Sequence, residues 1–130
     1  MKKTDLTPEQ FKKRWIAEFA GEVRRGDLRK RVLSSSNHIW HVFSFNLIPK
    51  GSWLEGDAAR KAFDRADKKE AEYVIYYGNK ETVDLPYVTA EKLDRDEDIV
   101  EMYVVGADRD WTYILTHEDG LGPYFYSPDI

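Results

Sequence analysis

Two histidines stand three residues apart in His38-Ile39-Trp40-His41-Val42-Phe43-Ser44-Phe45, and a third, His117, ends the run that begins at Trp111 and is followed by Glu118 and Asp119. Imidazoles with a carboxylate can hold Zn²⁺ or Fe²⁺, or exchange protons near neutral pH. The spacing of the first pair argues against one shared ion. Residues 39–45 have the β-branched and aromatic content of a strand, and on a strand positions three apart face opposite sides of the sheet. His41 then shares a face with Ile39, Phe43 and Phe45, where a neutral ring hydrogen-bonded to a neighbour is the ordinary arrangement. His117 is better placed for a ligand, because it sits where a strand ends and the flexible Gly120-Leu121-Gly122 begins. A metal site would require His41, His117 and Glu118 to converge, and no HExxH spacing is present.

The other patterns fall short of known chemistry. Asp94, Asp96 and Asp98 alternate like the start of a calcium loop, but Ile99 stands in place of the glycine and Val105 in place of the closing glutamate. Serines 34 to 36 lack a nucleophile-elbow setting, and no glycine-rich phosphate loop occurs. With no cysteine there is no thiol nucleophile, thiolate metal site or disulfide. No catalytic residue is assigned, and no cofactor or metal is expected. The candidate ligand- or partner-binding residues are Trp40, His41, Trp111, His117, Glu118, Asp119 and Tyr124.

The elements that must position these residues begin with Leu6-Thr7-Pro8-Glu9-Gln10-Phe11. Thr7 is set to cap a helix, Pro8 suits its first position, Gln10 completes a capping box, and Leu6 with Phe11 forms a hydrophobic staple. Phe11, Trp15, Ile16, Phe19, Ala20 and Val23 recur at helical spacing and face a core. The stretch after Gly26 predicts a further short helix, and Ala58, Ala59, Ala62, Phe63 and Ala66 predict an amphipathic one. Residues 39–45 are expected as a central strand, followed by strands in 72–77, 82–85, 101–106, 111–117 and 124–126. Helices early and strands late imply an α+β fold: an antiparallel sheet of about four to six strands with two or three helices packed on one face. One domain is expected to cover residues 1–130.

Charge is uneven. Residues 1–31 hold ten Lys or Arg against five Asp or Glu, whereas the remaining residues hold ten against nineteen, for a net charge of −4. Eighteen aromatics, eight of them tyrosine, lie mainly in the acidic part, which disfavours nucleic acid as a partner. No apolar run approaches the ~20 residues that span a bilayer, and no secretion signal is evident. A cytoplasmic protein with no membrane association is expected.

The combination Trp40-His41-Val42-Phe43-Ser44, Leu54-Glu55-Gly56, Thr116-His117-Glu118 and Gly122-Pro123-Tyr124-Phe125 resembles the family known as domain of unknown function 4275, over residues 40–126. The resemblance implies a bacterial origin and lends no reaction, cofactor or partner. Two readings follow. One is a non-enzymatic protein-binding module whose acidic, aromatic-rich sheet or its loops engage a protein partner, as an immunity or antitoxin protein masks a basic toxin. The other is a small metal-dependent hydrolase or ligand-binding protein using His41, His117 and Glu118.

Overall fold

A computed structural model describes residues 1–33, 38–78, 88–116 and 120–128. Strand β1 is Lys2–Lys3, helix α1 Pro8–Phe19, α2 Arg25–Arg31, α3 His41–Ser44, β2 Trp53–Glu55 and α4 Asp57–Arg65. Strand β3 is Glu72–Gly78, helix α5 Ala90–Arg95, β4 Ile99–Val105, β5 Thr112–Leu115 and β6 Tyr124–Tyr126. The strands form one sheet in the order β1-β3-β4-β5-β6-β2.

The α+β class expected from the sequence is present, with three corrections. The sheet is mixed, because β1 runs parallel to β3 while every other pairing is antiparallel. Helices cover both faces and not one. Val74, Tyr103, Val105, Ile114 and Tyr124 pack against α1, α2 and α3, whereas the alternate residues Tyr73, Met102, Val104, Tyr113 and Phe125 pack against α4 and α5. The near-continuous apolar run of β4 is therefore a strand buried on both sides.

The third correction concerns residues 39–45, which form a turn and the short helix α3 and take no part in the sheet. Ile39, Trp40, Val42 and Phe43 are buried, while His41 and Ser44 are half-buried and Phe45 is exposed. The aromatic and β-branched content reflects burial, and a short apolar run cannot distinguish a buried strand from a buried turn of helix. Asn46, at φ 53°, ends the helix in the left-handed region that Asn tolerates.

Helix α1 matches its local signals: Thr7 and Gln10 exchange the two capping-box hydrogen bonds, with Pro8 at the first position. Trp15 is fully buried, packs on Phe19 and Phe43, and donates its indole N–H to Thr112 Oγ1 at 2.9 Å. That hydroxyl in turn donates to the Val104 carbonyl at 2.8 Å, so α1 is tied to the centre of the sheet. Arg109 adds a second tie, pairing with Glu18 of α1 and with Glu72 of β3. Helix α4 buries Ala59 and Phe63 as its pattern predicts, and α5 is joined to it by the Ala90 N–H on Asp64 Oδ1 at 2.9 Å. Asp94, taken in sequence as part of a broken calcium pattern, lies in α5 and accepts from Arg60 Nε at 2.7 Å. Residues 82–85, expected as a strand, lie outside the described residues.

Trp15→Ala removes a buried indole and the donor to the Thr112 hydroxyl, so it should cost about 3–5 kcal/mol in urea unfolding. A loss below about 1 kcal/mol would show that α1 is a loosely attached arm.

Candidate functional site

Strand β4 carries a carboxylate into the interior. Glu101 is on the face that packs against α1 to α3 and is 1% exposed. A buried carboxylate is tolerable only when donors replace its water. Glu101 Oε1 accepts from the Trp40 indole N–H at 3.1 Å and lies 3.2 Å from Nδ1 of His38, while Oε2 accepts from the Tyr103 hydroxyl at 2.8 Å. With Nδ1 protonated, His38 supplies a further donor. Engaged in this way, the carboxylate anchors the turn before α3 to the sheet.

Its charge and the low polarity around it act on the neighbours. Burial foremost, and then the charge of Glu101, holds the Tyr103 hydroxyl well above the usual phenol range. Burial likewise raises Tyr76, with Glu9 and Glu101 adding to it, so both phenols stay protonated donors at neutral pH. Tyr76 gives its hydrogen bond to the Pro8 carbonyl at 2.7 Å. Lys12 is lowered by burial, against the pull of Glu9 and Glu101, and its ammonium caps the Val32 carbonyl beyond α2 at 3.0 Å.

Above this anchor lies a chain of ring contacts. Phe45 meets His41 at 5.1 Å between centroids, His41 meets His38 at 5.8 Å, and His38 meets Tyr77 of β3 at 5.5 Å. Trp40 supports both histidines from beneath, at 4.2 Å from His41 and stacked at 5.8 Å on His38. Phe45 and Tyr77, at the two ends, are 45% and 50% exposed. His41 is fixed further by the contact of Nδ1 with Ser44 Oγ at 2.9 Å.

The fold thus brings Trp40 and His41 together and sets Tyr124 beneath them, 6.3 Å from Trp40 and 5.2 Å from Phe43. Trp111 is on the opposite face, where it stacks on Phe125 at 5.6 Å. Gly106 makes room for that indole, since a Cβ there would lie 2.2 Å from its nitrogen. His117, Glu118 and Asp119 lie outside the described residues. Two expectations about the histidines are corrected. Because the chain turns helically at His38–His41, the two rings lie on the same side and not on opposite faces. His41 is also half-buried at the surface, hydrogen-bonded as expected but not enclosed with Ile39 and Phe43, and its segment is not a strand of the sheet. Among the described residues no three His, Asp or Glu side chains converge as a metal would require.

Sequence reasoning missed Glu101, Tyr103, Tyr77 and Phe45. A signal for the first existed: a glutamate with the same parity as Tyr103 and Val105 in Ile-Val-Glu-Met-Tyr-Val-Val must face a core and needs partners. The motif pair Leu54-Glu55-Gly56 and Gly122-Pro123-Tyr124-Phe125 also acquires a structural meaning. Leu54 pairs with Phe125 and Glu55 with Tyr124 across β2 and β6, and Glu55 accepts from the Gly122 N–H at 2.9 Å.

Trp40→Phe retains a ring of similar packing but removes one donor from a buried carboxylate, so it should cost about 1.5–3 kcal/mol. Urea unfolding with a midpoint equal to that of the wild type would show that Glu101 is not held through the indole.

A family model described as a domain of unknown function, DUF4275, matches residues 1–125. No curated protein and no solved structure matches the chain significantly. The family match takes in the basic N-terminal segment as well as the motifs from Trp40 onward. With all but its last five residues matched, the chain belongs to the DUF4275 family.

Proposed function

We propose that this chain is a non-enzymatic protein-binding module, a single bacterial α+β domain over residues 1–130 that works in the cytoplasm. No helix among the described residues is long and apolar enough to cross a membrane. The observation that carries the reading is the ladder Phe45–His41–His38–Tyr77, whose exposed ends are joined by continuous ring contacts and backed by a buried anchor. Exposed aromatic side chains gathered in one patch are the kind of residue that carries binding energy between proteins. Because Trp40 and Ser44 already hold the histidines, little side-chain freedom is lost when a partner docks. Helices cover both faces of the sheet, so the contact surface in this reading is the set of rings at α3 and β3 and not a sheet face. An immunity- or antitoxin-like protein, which acts by covering its partner, is one form of this reading.

The double substitution Phe45→Ser/Tyr77→Ser tests it. Both side chains are largely exposed, so the variant should unfold within about 1 kcal/mol of the wild type. Immobilised wild type should retain a discrete protein from a lysate of its own host, and the double variant should retain about tenfold less of it. Equal retention by the two proteins, or no discrete protein on either, overturns the reading.

A further inference from the structure

The ladder is flanked by a concentration of positive charge. In residues 24–31 Arg24, Arg25, Arg29, Lys30 and Arg31 are all exposed, and Asp27, half-buried, is the one acidic residue among them. Leu28, 8% exposed, fastens the helix to the core and leaves the arginines pointing outward. The charge joins the ladder directly: the Arg31 guanidinium lies 4.7 Å from the centroid of the Phe45 ring.

Helix stability accounts for only part of this charge. Arg29, Lys30 and Arg31 in the last turn do suit the negative end of the helix dipole. Arg24 and Arg25 are at the positive end, where cations are disfavoured, and Arg24 as N-cap supplies no side-chain hydrogen bond. Arg25 and Arg29 are also a like-charged pair one turn apart, which destabilises a helix. Cations at Arg24 and Arg25 work against a seven-residue helix and raise the positive potential of one surface.

We propose that α2 and the aromatic ladder form one docking surface for an acidic segment of a protein partner, with apolar side chains interspersed among its Asp and Glu. This deepens the module reading and rests on it. The arginines would pair with the carboxylates, and the rings from Phe45 to Tyr77 would take the apolar side chains. A single-stranded nucleic acid fits less well. Base stacking needs open ring faces, but Phe45 has Arg31 over one face, and the rings along the ladder lean on one another at 39°, 52° and 71°. A long polyanion would also meet the acidic remainder of a chain whose net charge is −4, whereas a short acidic segment needs only α2.

Fluorescence anisotropy with the full chain tests the proposal, using three labelled probes. One is a short peptide alternating Asp and Glu with Phe and Leu, the second its Asn/Gln counterpart, and the third an oligothymidylate of matching length. The acidic peptide should bind best and weaken steeply as salt is raised. Arg25→Glu should weaken it roughly fivefold without lowering the melting temperature, because an acidic residue suits the first turn and pairs with Arg29. Phe45→Ser should weaken it as well. If the neutral peptide binds equally and only Phe45→Ser weakens it, the acidic partner is overturned and the module reading stands. If oligothymidylate binds best in an Arg25-dependent way, the surface is for nucleic acid and both are overturned. Binding of none of the probes overturns the acidic-segment proposal, while the retention result with Phe45→Ser/Tyr77→Ser still decides the module reading.

Discussion

The desolvated carboxylate of Glu101 is the constraint around which one half of this molecule is arranged. Placed on an interior face of a central strand, it must be given donors, and the nearest groups come from two stretches of chain, its own strand and residues 38–40. Tyr103 supplies its hydroxyl from the same strand. Trp40 supplies its indole N–H from the turn that enters α3, and His38 its ring nitrogen from just before that turn. The need to satisfy one charge thereby fixes where residues 38–45 sit and which of their side chains face outward.

The exposed ladder follows from that anchoring. Trp40 cannot leave the sheet without abandoning Glu101, so the two histidines that lean on it are held at a fixed height above the surface. Tyr77 reaches the ladder because it is the register partner of Glu101 on the neighbouring strand. The recognition surface is thus pre-organised by a polar interaction beneath it, and its rings need little reordering on contact.

The two faces of the sheet divide the core, and the helices on one of them hold the larger excess of positive charge. Helices α1 and α2 together hold seven Lys or Arg against three Asp or Glu, whereas α4 and α5 are nearly balanced at five against four. Long-range steering by such a distribution favours approach of an acidic group from the α2 side. On the other side, Arg60 is bound between Asp57 and Asp94, so that cation is spent on holding α4 to α5.

Much was legible in the residues themselves wherever a signal is local. The capping box of α1, the alanine stripe of α4, the absence of thiol chemistry and the strands β3, β4, β5 and β6 all rest on interactions within a few positions. Family membership was also legible, in the motifs around Trp40, Glu55 and Tyr124. The helical turn at residues 39–45 was not, because aromatic and β-branched content reports burial, and burial alone does not specify backbone. Nor was the partner of Trp40, which is sixty-one positions away and meets it only once β4 is in the sheet. Pairing the basic helix with the aromatic ladder likewise required the tertiary structure. Charge and ring occur in order along the chain, but only packing of α2 beside α3 sets Arg31 over Phe45. Local hydrogen bonds and periodicity are written in neighbouring residues, whereas a buried charge is answered by whichever donors the fold brings to it.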